Sequence, residues 1–195
     1  VSPLQRIALG WVVVFGVALF PAHPHPAWRH YDALPDPLGW ALVLTGLVPL
    51  ARQLPELASA RGWAVLAGVV SVPLWLPQLS HHVTGAGAWA ALLPQNLACL
   101  VLCRAIGRLG AEQQPRDDYV AKRFGLLGWG FTALAVLPVL TVGGRLQPLE
   151  LPAQALMYLV VLVGVYSLFR VHRRTYLGGP GPLLVDPARP EDRPD

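Results

Sequence analysis

The chain has 195 residues, of which 54% are hydrophobic and only 13% charged, with a formal net charge of +4. A soluble domain carries about a quarter charged residues, most of them on its wetted surface, so this composition excludes an ordinary soluble globular domain. The positive balance does not point to nucleic acid, because the basic residues sit at the ends of apolar runs, where membrane topology accounts for them.

The apolar runs are Leu4–Phe20, Leu38–Ala51, Gly62–Leu79, Ala88–Ile106, Phe124–Val142 and Leu151–Phe169. A membrane-spanning helix needs about 20 such residues, within a range of about 17–25. The third to sixth runs reach that length and the first two are short. The pattern predicts an all-α, polytopic bundle of six transmembrane helices over residues 1–176, followed by a disordered cytoplasmic tail over 177–195.

In the first run, Arg6 followed by apolar residues has the outline of a signal peptide. Phe20-Pro21-Ala22 is a poor small-x-small cleavage site, so retention is the expectation. The second helix is expected to open near Pro35, since proline suits a first turn that needs no N–H.

On the third helix Ala60, Ala64, Ala67, Gly68 and Ser71 fall on one side at helical spacing. Small residues let neighbouring helices approach closely in a membrane, which makes Ala64, Gly68 and Ser71 the expected packing face. Pro73 and Pro77 then interrupt its outer half, with Pro138 as the counterpart on the fifth helix. Interruptions at matching positions mark binding sites in transporters; the plainer reading is that each proline kinks or ends its helix.

On the fourth helix Cys99 and Cys103 lie one turn apart. Their Cβ atoms would be roughly 5–6 Å apart, beyond the about 3.8 Å of a relaxed disulfide, so both read as small buried apolar side chains.

Charge sets the orientation. When the loops are assigned alternately to two sides, only Arg29 and Arg145 of the 15 basic residues fall on one of them. The positive-inside rule then places both termini in the cytoplasm. Lys122 is the only lysine, and this arginine bias beside abundant Ala, Gly, Pro and Leu fits a GC-rich bacterial genome. A bacterial cytoplasmic membrane is the expected location. The tail after Tyr176 is rich in Gly and Pro and lacks the apolar content to pack.

The outward-going helices share a further pattern. Arg6, Arg61 and Arg123 each precede a proline (Pro21, Pro77, Pro138) by about one helix length, and Gly10-Trp11, Gly62-Trp63 and Gly128-Trp129 lie near their inner ends. The returning helices are expected to open with Leu34-Pro35, Leu93-Pro94 and Leu151-Pro152. Three helical-hairpin pseudo-repeats would account for this, as would the common habits of membrane helices. A true repeat would bring Asp36, Gln95, Asn96, Gln154 and Glu150 to one polar vestibule at the outer mouth.

The segment Leu34-Pro35-Asp36-Pro37-Leu38-Gly39-Trp40 resembles the Leu-Pro-Asp-x-Ile-Gly-Tyr stretch that opens a helix in uncharacterised bacterial multi-pass membrane proteins. Pro37 stands where that pattern is usually aromatic. The resemblance implies a similar helix entry and carries no known activity.

All histidines except His172 fall on the outer side: His23, His25, His30, His81 and His82. Imidazoles beside Asp32 invite a metal or pH-sensing reading, although the spacing matches no metal motif, and short interfacial loops also use histidine. No acidic or basic residue falls in the middle of a predicted span, which counts against a proton-coupled pump. No nucleophile–base arrangement or phosphate loop is present. The expectation is a membrane protein without catalysis or cofactor, an accessory or scaffold subunit in contact with lipid and with other membrane subunits. The alternatives are a small-solute transporter or channel, and an outer-face metal or pH sensor.

Overall fold

The computed structural model describes residues 1–25, 29–80, 82–144 and 147–181; residues 19–25, 29–31, 77, 142 and 147 are described by their backbone course alone. Ser2 opens α1 (Pro3–Phe15) with a reciprocal cap. Its hydroxyl accepts from the Gln5 N–H at 3.3 Å, and the Gln5 side chain accepts from the Ser2 N–H at 2.8 Å. Serine followed three residues later by glutamine, with proline at the first helical position, encodes that start.

The helix ends at Phe15, short of the Phe20 expected from apolarity. The chain then forms an antiparallel ribbon of β1 (Leu19–His25) and β2 (Arg29–Asp32), pairing Leu19 with Asp32. Proline recurs through Phe20-Pro21-Ala22-His23-Pro24 and removes the N–H donors that a helix needs. The Asp32 carboxylate accepts from the N–H groups of Ala18 (2.9 Å) and Leu34 (3.0 Å), joining the two ends of the ribbon.

Pro35 caps α2 (Asp36–Gln53), and a short 3-10 turn leads to α3 (Ala58–Trp75). α3 passes through Pro73 and breaks at Leu76, before α4 (Pro77–Ser80). α5 (Ala86–Ala111) and α6 (Asp118–Pro138) follow. α6 widens into one π-helical turn over Val139–Gly143, and α7 (Glu150–Val171) completes the set.

The six longer helices form a ring in chain order. Each packs on the next, with α3 against α5, and α7 returns to α1. Four stretches, Pro55–Trp75, Ala86–Ala111, Asp118–Thr141 and Glu150–Val171, are long and apolar enough to cross a membrane. Most of their surface lies outside the bundle core, and in a chain so poor in charge that surface meets lipid. α1 has 13 residues and rises about 20 Å, against about 30 Å of hydrocarbon. α2 is also outside this group of four.

Three details differ from the sequence reading. Leu93-Pro94 does not open a helix: α5 begins at Ala86, and Pro94 is buried within it. Gln95 therefore lies more than two turns into α5, while Leu34-Pro35 and Leu151-Pro152 stand at helix starts. The register of the threefold pattern is lost there, because a proline can be accommodated inside a membrane helix when its surroundings satisfy the freed backbone groups. The third difference is at the C-terminal end, where order continues past Tyr176. Leu177 is 1% exposed, and Gly178, at φ 73°, turns the chain against Leu50. Residues 182–195 of the expected tail lie outside the described residues.

Glycine sets the approach of α1 to α2. A methyl carbon at Gly10 would lie 2.7 Å from the Gly39 carbonyl oxygen, and one at Gly39 2.6 Å from Val14 Cγ2. At Gly46 it would collide with the Pro3 carbonyl oxygen. On α3, Ala60, Ala64, Ala67 and Ser71 are buried, and a methyl at Gly68 would lie 3.3 Å from Trp40 Cβ. Cys99 and Cys103 are buried and free. Gly46→Ala and Gly68→Leu should each lower stability in detergent by about 1–3 kcal/mol through overpacking. Gly62→Ala, with open space around the new methyl, should lose nothing and gain up to about 1 kcal/mol. Thermal unfolding of the three variants checks the ranking; equal stability of Gly46→Ala and wild type would refute the close crossing.

Candidate functional site

An aromatic cluster joins α1, α6 and α7. Trp11, 1% exposed, stacks edge-on against Phe131 (centroids 5.4 Å apart, planes at 72°) and Phe15 (6.1 Å, 81°). Its other edge lies on Gly164, where a methyl carbon would come within 2.7 Å of Trp11 Cζ3. α1, α6 and α7 thus meet through one indole. Edge-to-face rings and a glycine seat are the geometry in which an aromatic side chain fills space without a void.

Around this cluster the polar residues are scattered. Ser71, Thr132 and Ser167 return their hydroxyl protons to carbonyls of their own helices, at 2.6–2.9 Å, the usual way a membrane helix satisfies a hydroxyl. The vestibule residues occupy α2, α5 and α7, which alternate around the ring. Asp36 is half-buried, Gln95 and Asn96 are half-buried on α5, and Glu150 and Gln154 are exposed on α7. No hydrogen bond or ion pair among the described residues joins any two of them; Asn96 donates to the Leu92 carbonyl of its own helix at 3.3 Å.

Asp36 has a different neighbour of interest. Its Oδ1 and the indole Nε1 of Trp40, one turn further along α2, are both buried without a hydrogen-bond partner. The two residues share one face of α2 by helical spacing. Residue spacing alone carries that signal, Asp36 and Trp40 being four apart.

His81 and the side chains of His23, His25 and His30 lie outside the described residues, so the histidine cluster has no geometry here. His82 Nδ1 lies 3.0 Å from the Gln78 carbonyl oxygen. Among the described residues no three His, Cys, Asp or Glu side chains come together as a metal set.

At the N-terminal end of α6 one carboxylate ties the last helices together. Asp117 caps α6 by accepting from the Val120 N–H (3.2 Å), receives the Tyr176 hydroxyl proton (2.9 Å), and pairs with Arg174 Nε at 3.1 Å. Burial, and then the hydrogen bond to Asp117, pushes the Tyr176 phenol well above its ordinary value, so it remains a donor across physiological pH. The Asp117-Asp118 pair before an apolar run is a legible cap signature that the charge-topology reading passed over. At the opposite end of α6, Trp89 Nε1 donates to the Ala135 carbonyl at 2.9 Å, fastening α5 to α6 beside the π-helical turn.

The fold defines a helical membrane protein. Compared with protein-family models, curated proteins and solved structures, the chain matches none significantly.

Asp117→Ala removes the cap and strands the Tyr176 hydroxyl, and should cost about 1–3 kcal/mol. In that background Tyr176→Phe should cost little more, since its partner is already gone. Unfolding of the two single variants and the double variant in detergent checks this; additive losses would show that the two groups act independently.

Proposed function

We propose that the protein is a non-catalytic accessory or scaffold subunit of a bacterial cytoplasmic membrane, crossing it six times with both termini in the cytoplasm. The observation that carries this reading is the filled core: buried apolar side chains from all six long helices form one cluster, with Trp11, Phe15 and Phe131 in ring contact within it. A conduit would need a polar path there. The lipid-facing surface of α3, α5, α6 and α7 is extensive, and it serves equally for lipid and for neighbouring membrane subunits. Six spans are supported by the ring, in which α1 and α2 lie beside α7 and α3, and the orientation by the segregation of Arg and Lys. The helix entry at Asp36, with Pro35 at its N-cap, is the segment that carries the resemblance to multi-pass bacterial membrane proteins.

One observation favours transport of a small solute instead. α3 breaks at Leu76 and α6 loosens into a π-helical turn at Val139, so two outward-going helices are irregular at corresponding ends, as in transporters with interrupted helices.

Reporter fusions after Arg61, Ala111 and Arg174 should report cytoplasmic positions, and fusions after His30, Gly85 and Arg145 exported ones. An exported signal at Ala111 overturns the six-span topology. Purified protein in liposomes should give no proton or potassium flux above that of empty vesicles. Flux that depends on the protein would favour the transport reading.

A further inference from the structure

The seam between α6 and α7 combines three features. The helices touch at Gly130, where a methyl carbon would lie 2.6 Å from Val160 Cγ2. Beside that contact is an apolar groove of about 330 Å³, lined by Leu126, Leu127, Leu159 and Val163, with Arg123 toward the start of α6. Arg123 and Leu126 also line a second hollow of about 550 Å³, shared with Asp118, Tyr119 and Lys122. Tyr119 leads in turn to a third hollow, of about 580 Å³, bordered by Arg170 and Arg173. The hollows therefore form one trough, basic at its inner end and apolar deeper in the membrane. Residues 119, 123, 126, 127 and 130 share one face of α6 by helical spacing.

The inner end of the trough lacks anionic partners. The Tyr119 hydroxyl and Arg123 Nε are buried without a hydrogen-bond partner. Arg170 donates to the Tyr166 hydroxyl at 2.8 Å and lies 5.0 Å over the Tyr119 ring, but no carboxylate pairs with it or with Arg123 among the described residues. Asp118, the acidic residue in the trough, is already held by Arg116 (3.1 Å) and Lys122 (4.0 Å). Arg123 and Tyr119 border one hollow, and Arg170 borders the next with Tyr119 and lies over its ring; guanidinium and phenol donors of this kind suit a phosphate, whose oxygens accept charge-assisted bonds. The adjoining groove suits an acyl chain, whose CH₂ groups meet Leu126, Leu159 and Val163.

We propose that this trough is a binding site for an anionic phospholipid of the inner leaflet, with the phosphate at Tyr119, Arg123 and Arg170 and one acyl chain in the groove between α6 and α7. Basic pockets between membrane helices on the cytoplasmic side recognise such headgroups by charge and hydrogen bonding. The site rests on the inward placement of the α6 start. The topology fusions test that placement separately from lipid preference, which is read in detergent.

The test is lipid binding to the purified full-length chain in a neutral detergent, followed by native mass spectrometry. Phosphatidylglycerol and phosphatidylcholine with the same acyl chains are the probes. Phosphatidylglycerol should bind at least about fivefold more tightly. Arg123→Gln should bring it to the phosphatidylcholine level, while Arg104→Gln, on the α5–α6 side, should leave the preference intact. Tyr119→Phe, which removes one oxygen and leaves the ring in place, should lower the preference in the same direction if Arg123→Gln fails to fold. Equal binding of the two lipids, or a preference unchanged in Arg123→Gln or Tyr119→Phe, overturns the proposal. So does loss of preference in Arg104→Gln, or full displacement of phosphatidylglycerol by glycerol phosphate, which would mark a soluble-anion site instead.

Discussion

The contact of Trp11 with Gly164 closes the molecule. Without it the helices would form a chain of antiparallel neighbours, each held to the next by a short connection. With it the last helix returns to the first, and the indole fills the space between α1, α6 and α7. The contact requires a large flat side chain on one helix and none on the other. A methyl at residue 164 would remove the seat, and a small residue at position 11 would leave a void that the surrounding helices cannot collapse to fill.

The rest of the packing follows from the solvent. Between helices in lipid there is little hydrophobic driving force, because acyl chains are as apolar as leucine. Association then depends on close van der Waals contact, which needs small residues at each crossing. Gly10 and Gly39 supply it between α1 and α2, Ala64 and Gly68 between α3 and its neighbours, and Gly130 between α6 and α7. Large apolar side chains such as Leu126, Trp129, Leu151 and Leu162 are exposed, the reverse of a soluble protein. Polar anchors such as Asp117 and Trp89 stand at the ends of the helices, where the last turns have unpaired groups to offer.

The sequence conveyed some of this directly. Run length is a strong signal because the bilayer sets it, and each of the six long helices overlaps an apolar run. Apolarity does not encode conformation, however, which is why Leu4–Phe20 was one run in the sequence but α1 stops at Phe15 and the chain turns into a ribbon. Leu-Pro reads as a helix start wherever it occurs, yet Pro94 is interior. The outer polar residues could be named but not assembled, since facing directions depend on ring order, and the ring places α2, α5 and α7 at alternate positions. The trough between α6 and α7 was not legible as a site: Tyr119 and Arg123 share one face of α6, but Arg170 is far from them along the chain, and only the register of the two helices brings it to them.

The central claim is that α1 and α7 meet at residues 11 and 164 and close the ring. A double-mutant cycle with Trp11→Ala and Gly164→Leu, followed by thermal unfolding in detergent, tests it most directly. Each single change should destabilise, the first by leaving a cavity and the second by overfilling. Together they should cost less than the sum by at least about 1 kcal/mol, because the new leucine occupies the space the indole has left. Losses that simply add would contradict the account, since they would show that the two positions do not touch.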